Sequence, residues 1–305
     1  MLHLRRTNRI LSVGSTTAIE GNQLTVQQVF DVINGKVVLA PLHDIKEVKN
    51  AFNAYEKIPD LDPYRVEDFL KAHHFITEHL VQESGQFRSV GVAIVNSQKE
   101  IIHSGANFEQ VPTLVAELFE WCKATDAHAL IKSSAMHFMI EHIHPFRDGN
   151  GRIGRLWQTL MLAKWNELFA WLPVETMIYY HQEKYYEALL QSQHKDGTVD
   201  CQPFIDFMLD IIEDSMYQYI DGAENADGGV NGGVNGGVNG GLNETQREII
   251  TLIKENQHIR VFEMAQKLLK PVRTIENNIR QLKEKGIVAR VGSDKKGYWK
   301  LLKTT

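Results

Sequence analysis

Cysteine is almost missing from this chain. Cys122 and Cys201 are the only two in 305 residues, too few for a disulfide framework and too isolated from each other for a zinc motif, which fits a reducing compartment. No window approaches the roughly 18 uninterrupted apolar residues of a membrane-spanning helix. The opening MLHLRRTNRILSVG mixes charges among its apolar positions, so it lacks the apolar centre of a secretory signal. At 43% hydrophobic and 23% charged, the composition is that of a folded globular chain, neither disordered nor fibrous. The expectation is a soluble cytoplasmic protein with no membrane contact.

The net charge of -5 is unevenly spread. Residues 243–305 hold 14 Lys+Arg against 7 Asp+Glu, whereas the rest hold 19 against 31. A split of this kind implies two modules with different partners. Between them, residues 228–243 read GGVNGGVNGGVNGGLN. So few side chains cannot offset backbone ordering, so the repeat reads as a flexible tether.

Most segments before the tether have helical periodicity. Thr25 is placed to cap VQQVFDVI, with Asn34-Gly35 as its stop. Similar patterns cover 44–56, 65–81, 112–124, 129–142, 151–169, 184–193 and 202–220. One segment differs: VGVAIV (90–95), Asn96-Ser97-Gln98, then KEIIH reads as a β-hairpin. After the tether, helices are expected at Glu244–Glu255, Phe262–Leu268 and Pro271–Lys285, followed by strands IVARV and YWKLL around the turn GSDKKG. Three helices and a hairpin make the layout of a winged helix-turn-helix.

The chemistry concentrates in residues 144–155, HPFRDGNGRIGR, between two segments that read as buried helices. Gly149-Asn150-Gly151 at a helix start leaves backbone N–H groups to face an anion, aided by the helix dipole. Arg152 and Arg155, three residues apart, project from nearly one face, and two guanidinium forks suit a run of phosphates. Asp148 suits an anion site only with a cation between, which points to Mg2+. His144, with a reference pKa near ~6.5, can take a proton from an attacking nucleophile.

The spacing H-x-F-x-D-G-N-G-R-x-x-R resembles the signature of the Fic proteins, whose typical members transfer AMP from ATP onto hydroxyl side chains of other proteins. Every fixed position is filled, with Pro145 in its usual place. A pattern this long is specific. The resemblance covers residues 1 to about 220 and implies a mainly α fold: a Fic-type helical core with a β-hairpin flap, plus the small C-terminal winged-helix domain. Together with the tether and tail read from the residues, this divides the chain into an N-terminal helical region (1–80), a catalytic core (81–221), a Gly-rich linker (222–242) and the winged helix (243–305).

By that resemblance His144 deprotonates a Ser, Thr or Tyr hydroxyl, which attacks the α-phosphorus of ATP. Asp148 holds Mg2+. Gly149, Asn150 and Gly151 cradle the phosphates, Arg152 and Arg155 hold the outer ones, and Phe146 points inward to fix the loop. The hairpin and its approach, Phe87, Arg88, Val90, Gly91, Val92 and Ala93, correspond to the flap on which the target strand docks by edge pairing.

Residues 15–22 read STTAIEGN. Locally, Thr17 and Glu20 form a capping box, or a helix from about Thr7 ends at Glu20 with Gly21 as its left-handed stop. The resemblance adds an inhibitory motif, matched by Thr16, Glu20 and Gly21, in which Glu20 pairs with Arg155 and blocks productive ATP binding. The same Glu20 serves a rival reaction, hydrolytic removal of AMP from a modified protein, and both readings stay open.

The tail supports a third class. Ile275, Ile279 and Leu282 are spaced for a core, while Arg273, Thr274, Asn277 and Arg280 fall largely outside it and suit base edges in a major groove. Lys295 and Lys296 would meet phosphates. A protein-interaction role for the tail, or self-association of the chain, is equally open. His137 with Glu141 and His73-His74 read as structural residues rather than ligands; the tyrosines 179, 180, 185 and 186 suit either the border of a nucleotide pocket or the core, and core packing is the commoner reading.

Overall fold

The computed structural model describes residues 2–95, 101–193, 198–227, 242, 244–259, 272–291 and 297–302, together with 261, 264 and 268. The chain divides into two compact units, Met1–Met216 and Tyr217–Thr305.

The first unit is helical. Its helices are α1 (Leu2–Ile19), α2 (Val26–Ile33), α3 (Leu42–Glu56), α4 (Val66–Thr77), α5 (Val111–Ala124), α6 (Ala129–Ile143), α7 (Asn150–Trp165), α8 (Val174–Tyr180) and α9 (Gln182–Gln191). A tenth, α10 (Gln202–Asp227), spans the boundary of the units. The antiparallel strands β1 (Ala93–Val95) and β2 (Ile101–Ser104) pair Ala93 with Ser104 and Ile94 with His103.

Local rules account for several ends. Thr25 and Gln28 form a reciprocal capping box on α2, and Gly35 at φ 76° releases the chain beyond it. The periodicity predicts that α4 runs to 81, yet it stops at Thr77. The Asn50 side chain, from α3, donates to the Ile76 and Glu78 carbonyls at 3.2 and 2.8 Å and satisfies the end of the helix there. The 151–169 segment breaks at Asn166, whose side chain accepts from Leu168 N–H and opens a 3-10 turn over Glu167–Ala170. Regular strand pairing begins at Ala93 rather than at Val90.

α7 is the centre of the unit. Every residue from Arg152 to Leu162 is buried, as expected of a helix with no charged outer face over that stretch. Beneath its first turns lies an aromatic cluster. The Phe69 ring stands 5.4 Å from Phe119, 5.3 Å from Phe146 and 5.1 Å from Trp157. α8 has no sequence periodicity to announce it; it is anchored by Glu175, which accepts from Tyr55 and Thr159 hydroxyls at 2.7 Å each.

In the second unit, α11 (Glu244–Glu255) and α12 (Val272–Glu284) pack with the antiparallel strands β3 (Val288–Val291) and β4 (Tyr298–Leu301). Trp299 locks the sheet to the helical side, its indole N–H donating to the Ile259 carbonyl at 2.9 Å. The anticipated helix at 262–268 and the loop carrying Lys295 and Lys296 lie largely or wholly outside the described residues. So does the repeat at 228–241. The linker does not start at 222, however, because α10 continues to Asp227. Among the described residues no helix is long and apolar enough to cross a membrane.

Phe69→Ala removes the ring shared by this cluster and is expected to cost about 3–5 kcal/mol, read as a lower denaturant midpoint for the first unit.

Candidate active site

The candidate site is the turn between two buried helices. α6 ends in His144, which caps it in the left-handed conformation at φ 55°, ψ 60°. A second left-handed residue, Gly149 at φ 87°, caps the start of α7. A Cβ on Gly149 would stand 2.8 Å from Thr77 Cγ2 and 3.2 Å from His73 Nε2, so glycine is required for space as well as conformation. The first bond within α7 runs from Ile153 N–H to the Gly149 carbonyl at 2.9 Å. The amides before it point beyond the helix end, where the dipole is positive.

That end opens into a cavity of about 440 Å³, within the usual range for a small-molecule site. Its polar side is formed by Glu20, Glu141, His144, Asp148, Gly149, Asn150, Gly151 and Arg155; the opposite side by Tyr185, Tyr186, Leu189 and Leu190.

His144 Nδ1 stands 3.4 Å from the Glu141 carbonyl oxygen. A carbonyl only accepts, so the tautomer that donates in this contact carries its proton on Nδ1 and its basic lone pair on Nε2. Glu141, which bears that carbonyl, also accepts at Oε1 from the Tyr185 hydroxyl at 3.1 Å. Burial alone would raise its pKa, but His137, Arg155 and His144 outweigh it and hold the carboxylate below its ordinary value.

Arg155 is 2% exposed. Its Nε donates to Thr16 Oγ1 at 2.9 Å, and its Nη2 to Glu20 Oε1 at 2.5 Å and to the Thr16 carbonyl at 3.2 Å. Burial would lower its pKa; Glu20, Tyr185 and Glu141 more than reverse this and raise it. A Cβ on Gly151 would collide with Glu20 Oε1. The Glu20 carboxylate therefore sits against the amide end of α7, in the position an anion would take. Glu20 follows the end of α1 at Ile19, and Gly21 at φ 97° turns the chain away, so of the two local readings the helix end is the one observed.

Several residues expected at a ligand are turned elsewhere. Arg152 does not line the cavity. Its Nη1 pairs with Glu47 Oε1 at 2.7 Å and its Nη2 with Asp148 Oδ1 at 2.8 Å, so its guanidinium lies between α3 and the loop. Asn150 lines the cavity, but its side chain accepts from Phe146 N–H at 2.9 Å and donates to the Phe146 carbonyl at 2.8 Å. These two bonds pin the loop. Phe146 is fully buried and stacks on His73 at 3.6 Å. Phe87 is half-buried and packs on Phe146, 5.7 Å between ring centroids, and Arg88 is 2% exposed. Val90, Gly91 and Ala93 are exposed and Val92 is half-buried.

Sequence reasoning missed the Glu47 partner of Arg152 and the apolar side of the cavity. Glu47 is buried, which raises its pKa despite Arg152, and it accepts from Asn22 Nδ2 at 2.8 Å. The aromatic side had one signal, the tyrosine set at 179–186, of which Tyr185 and Tyr186 line the cavity.

A model of the Fic/DOC family matches residues 63–162, and a winged helix-turn-helix DNA-binding model matches 242–289. A crystal structure of a Fic family protein from Desulfovibrio desulfuricans is 35% identical, covers 100% of this chain and 89% of its own, and superposes with a TM-score of 0.69. The chain belongs to the Fic family. This Fic protein is also 24% identical, over 67% of its length, to a protein adenylyltransferase Fic from Nematostella vectensis. It is 25% identical, over 74%, to protein adenylyltransferase fic-1 of Caenorhabditis briggsae. It spans 47% and 44% of those two relatives.

The loop of this Fic protein also holds a proton-sensitive support. Burial lowers the His73 pKa to about 4. Its Nδ1 accepts from Gly85 N–H at 3.0 Å, and its Nε2 donates to the Asp148 carbonyl at 2.9 Å. An unfolded histidine protonates near ~6.5. Between that pH and about 4, the unfolded chain binds a proton that the folded chain refuses. Stability therefore falls as pH falls through this window, by at most about 3 kcal/mol from this group. Denaturant midpoints from pH 7 to 4 are expected to drop, and His73→Gln is expected to flatten that drop.

Proposed function

We propose that this protein transfers AMP from ATP to a hydroxyl side chain of a target protein and is held inactive by Glu20. The observation that carries the reading is one juxtaposition. A histidine at the end of α6 borders the same cavity as the amide end of α7, and a carboxylate already fills the anion position there.

His144 Nε2 accepts the hydroxyl proton, the oxygen attacks the α-phosphorus, and the bond to the pyrophosphate oxygen breaks. The amides of Asn150 and Gly151 receive phosphate oxygens, and Arg155 receives the outer phosphate. The base lies against Tyr186, Leu189 and Leu190, whose apolar faces suit a stacked ring. Asp148 fits a metal carried by the nucleotide: its side chain is 56% exposed at the cavity mouth, and Mg2+ in nucleotide sites commonly takes one or two carboxylates with the phosphates. Asp148 would hold Mg2+ there, and the ion would supply charge neutralisation for the phosphates. The exposed edge at Val90, Gly91 and Ala93 accepts the target strand through backbone pairing. The brake follows from charge: Glu20 and the outer phosphate compete for one guanidinium.

Losing a charge-assisted bond worth about 1.5–3 kcal/mol should raise labelling from α-radiolabelled ATP by about 10- to 100-fold in Glu20→Gly. His144→Ala in that background should abolish it. Equal labelling by wild type and Glu20→Gly would refute the brake, and release of free AMP from a modified target by the wild type would favour the hydrolytic reaction instead.

A DNA-binding role for the second unit is supported by the family model over 242–289 and by Arg280, exposed on α12 beside Asn277, whose Oδ1 accepts from it. Arg273 and Thr274 lie on the same helix. Affinity of the full chain for duplex DNA should then fall steeply with salt; no binding at low salt would count against it.

A further inference from the structure

One buried guanidinium ties the base of the hairpin to the backbone of His144. Arg88 is 2% exposed, and among the described residues no carboxylate lies within ion-pair distance of it. It donates instead to backbone carbonyls. Its Nε reaches His144 at 2.7 Å, its Nη1 reaches Val90 at 2.8 Å, and its Nη2 reaches Ala106 and, at 3.4 Å, Ile143. The Ile143 and His144 carbonyls lie at the C-terminal end of α6, where acceptors lack helical partners and the dipole favours a cation. The Val90 and Ala106 carbonyls belong to the two stems of the hairpin. Backbone bonds close the clasp: Arg88 N–H donates to the Pro145 carbonyl at 3.0 Å and Ala106 N–H to the Ile143 carbonyl at 3.2 Å.

His144 needs such support. At φ 55° it occupies a region disfavoured for any residue with a Cβ. Gly105 makes the close approach possible, since a Cβ there would stand 2.9 Å from Arg88 Nη2 and 3.2 Å from His144 Cβ.

The geometry points to Arg88 as a positioning residue: it holds His144 in the left-handed conformation that presents the imidazole to the cavity. It also couples that orientation to the hairpin, so the base is aligned by the element proposed to receive the target. This rests on the transfer reading above. A lysine keeps the charge but, as a single point donor, cannot span carbonyls from two elements.

The test uses the full chain in the Glu20→Gly background, comparing Arg88→Lys and Gly105→Ala. Three quantities are read: the initial rate of labelling from radiolabelled ATP, the ATP dissociation constant, and the histidine ring 15N resonances. Arg88→Lys should lower the rate about 100-fold, as expected of a misplacement near 1 Å, with ATP affinity unchanged within about twofold. The His144 ring signals should shift while those of His73 stay. Gly105→Ala, which displaces the same guanidinium, should move all readouts in the same direction by about tenfold in rate, and decides the matter if Arg88→Lys does not fold. Parental His144 signals or a parental rate in a folded variant would overturn the proposal, as would a matching loss of ATP affinity. If Glu20→Gly itself transfers nothing, the transfer reading fails, and the ring signals alone decide the positioning claim.

Discussion

A cation with almost no access to water must be paired, and Arg155 is that cation. Isolated in a low-dielectric interior, a guanidinium costs several kcal/mol. Here Glu20 and Thr16, 135 and 139 residues earlier in the chain, supply its acceptors from the end of α1. The contact fixes the end of α1 against the start of α7. It also sets the charge state of the cavity, since any anion entering at α7 meets a guanidinium already neutralised.

The two arginines of the motif are held unequally. Arg152 pairs with Glu47, whose side chain is 6% exposed, whereas Glu20 is 30% exposed at the cavity. A buried pair with a further bond to Asn22 resists displacement, while a carboxylate at a cavity wall can yield to a phosphate. The same division separates structure from chemistry around the loop. Arg152, Asn150, Phe146 and His73 hold it, and His144, Asp148 and Arg155 face what enters.

The short-range parts of the fold were legible in the sequence. Capping residues and apolar spacing indicated α2, α5 and α6 to within about two residues, because those signals act over one or two turns. α8 was not legible, since its place depends on a buried Glu175 meeting Tyr55 and Thr159, partners distant in sequence. The candidate site divides likewise. The Fic motif and STTAIEGN were visible as residue types, but their side-chain directions were not. Arg152 turns toward Glu47 because α3 delivers a buried carboxylate there, and Arg88 turns inward because the end of α6 offers carbonyls without helical partners. No local pattern encodes either, and an arginine drawn from sequence looks equally suited to a phosphate or a target.

The central claim is that Glu20 and the terminal phosphate of a nucleotide compete for Arg155. Titration calorimetry of ATP and ADP against the wild type and Glu20→Gly tests it most directly. With Glu20 in place, the extra phosphate has no cation to meet, so the two nucleotides should bind the wild type with similar affinity. In Glu20→Gly, ATP should bind about tenfold or more tighter than ADP, in keeping with one additional charge-assisted hydrogen bond to the guanidinium. The same ATP-to-ADP ratio in both proteins would contradict the account.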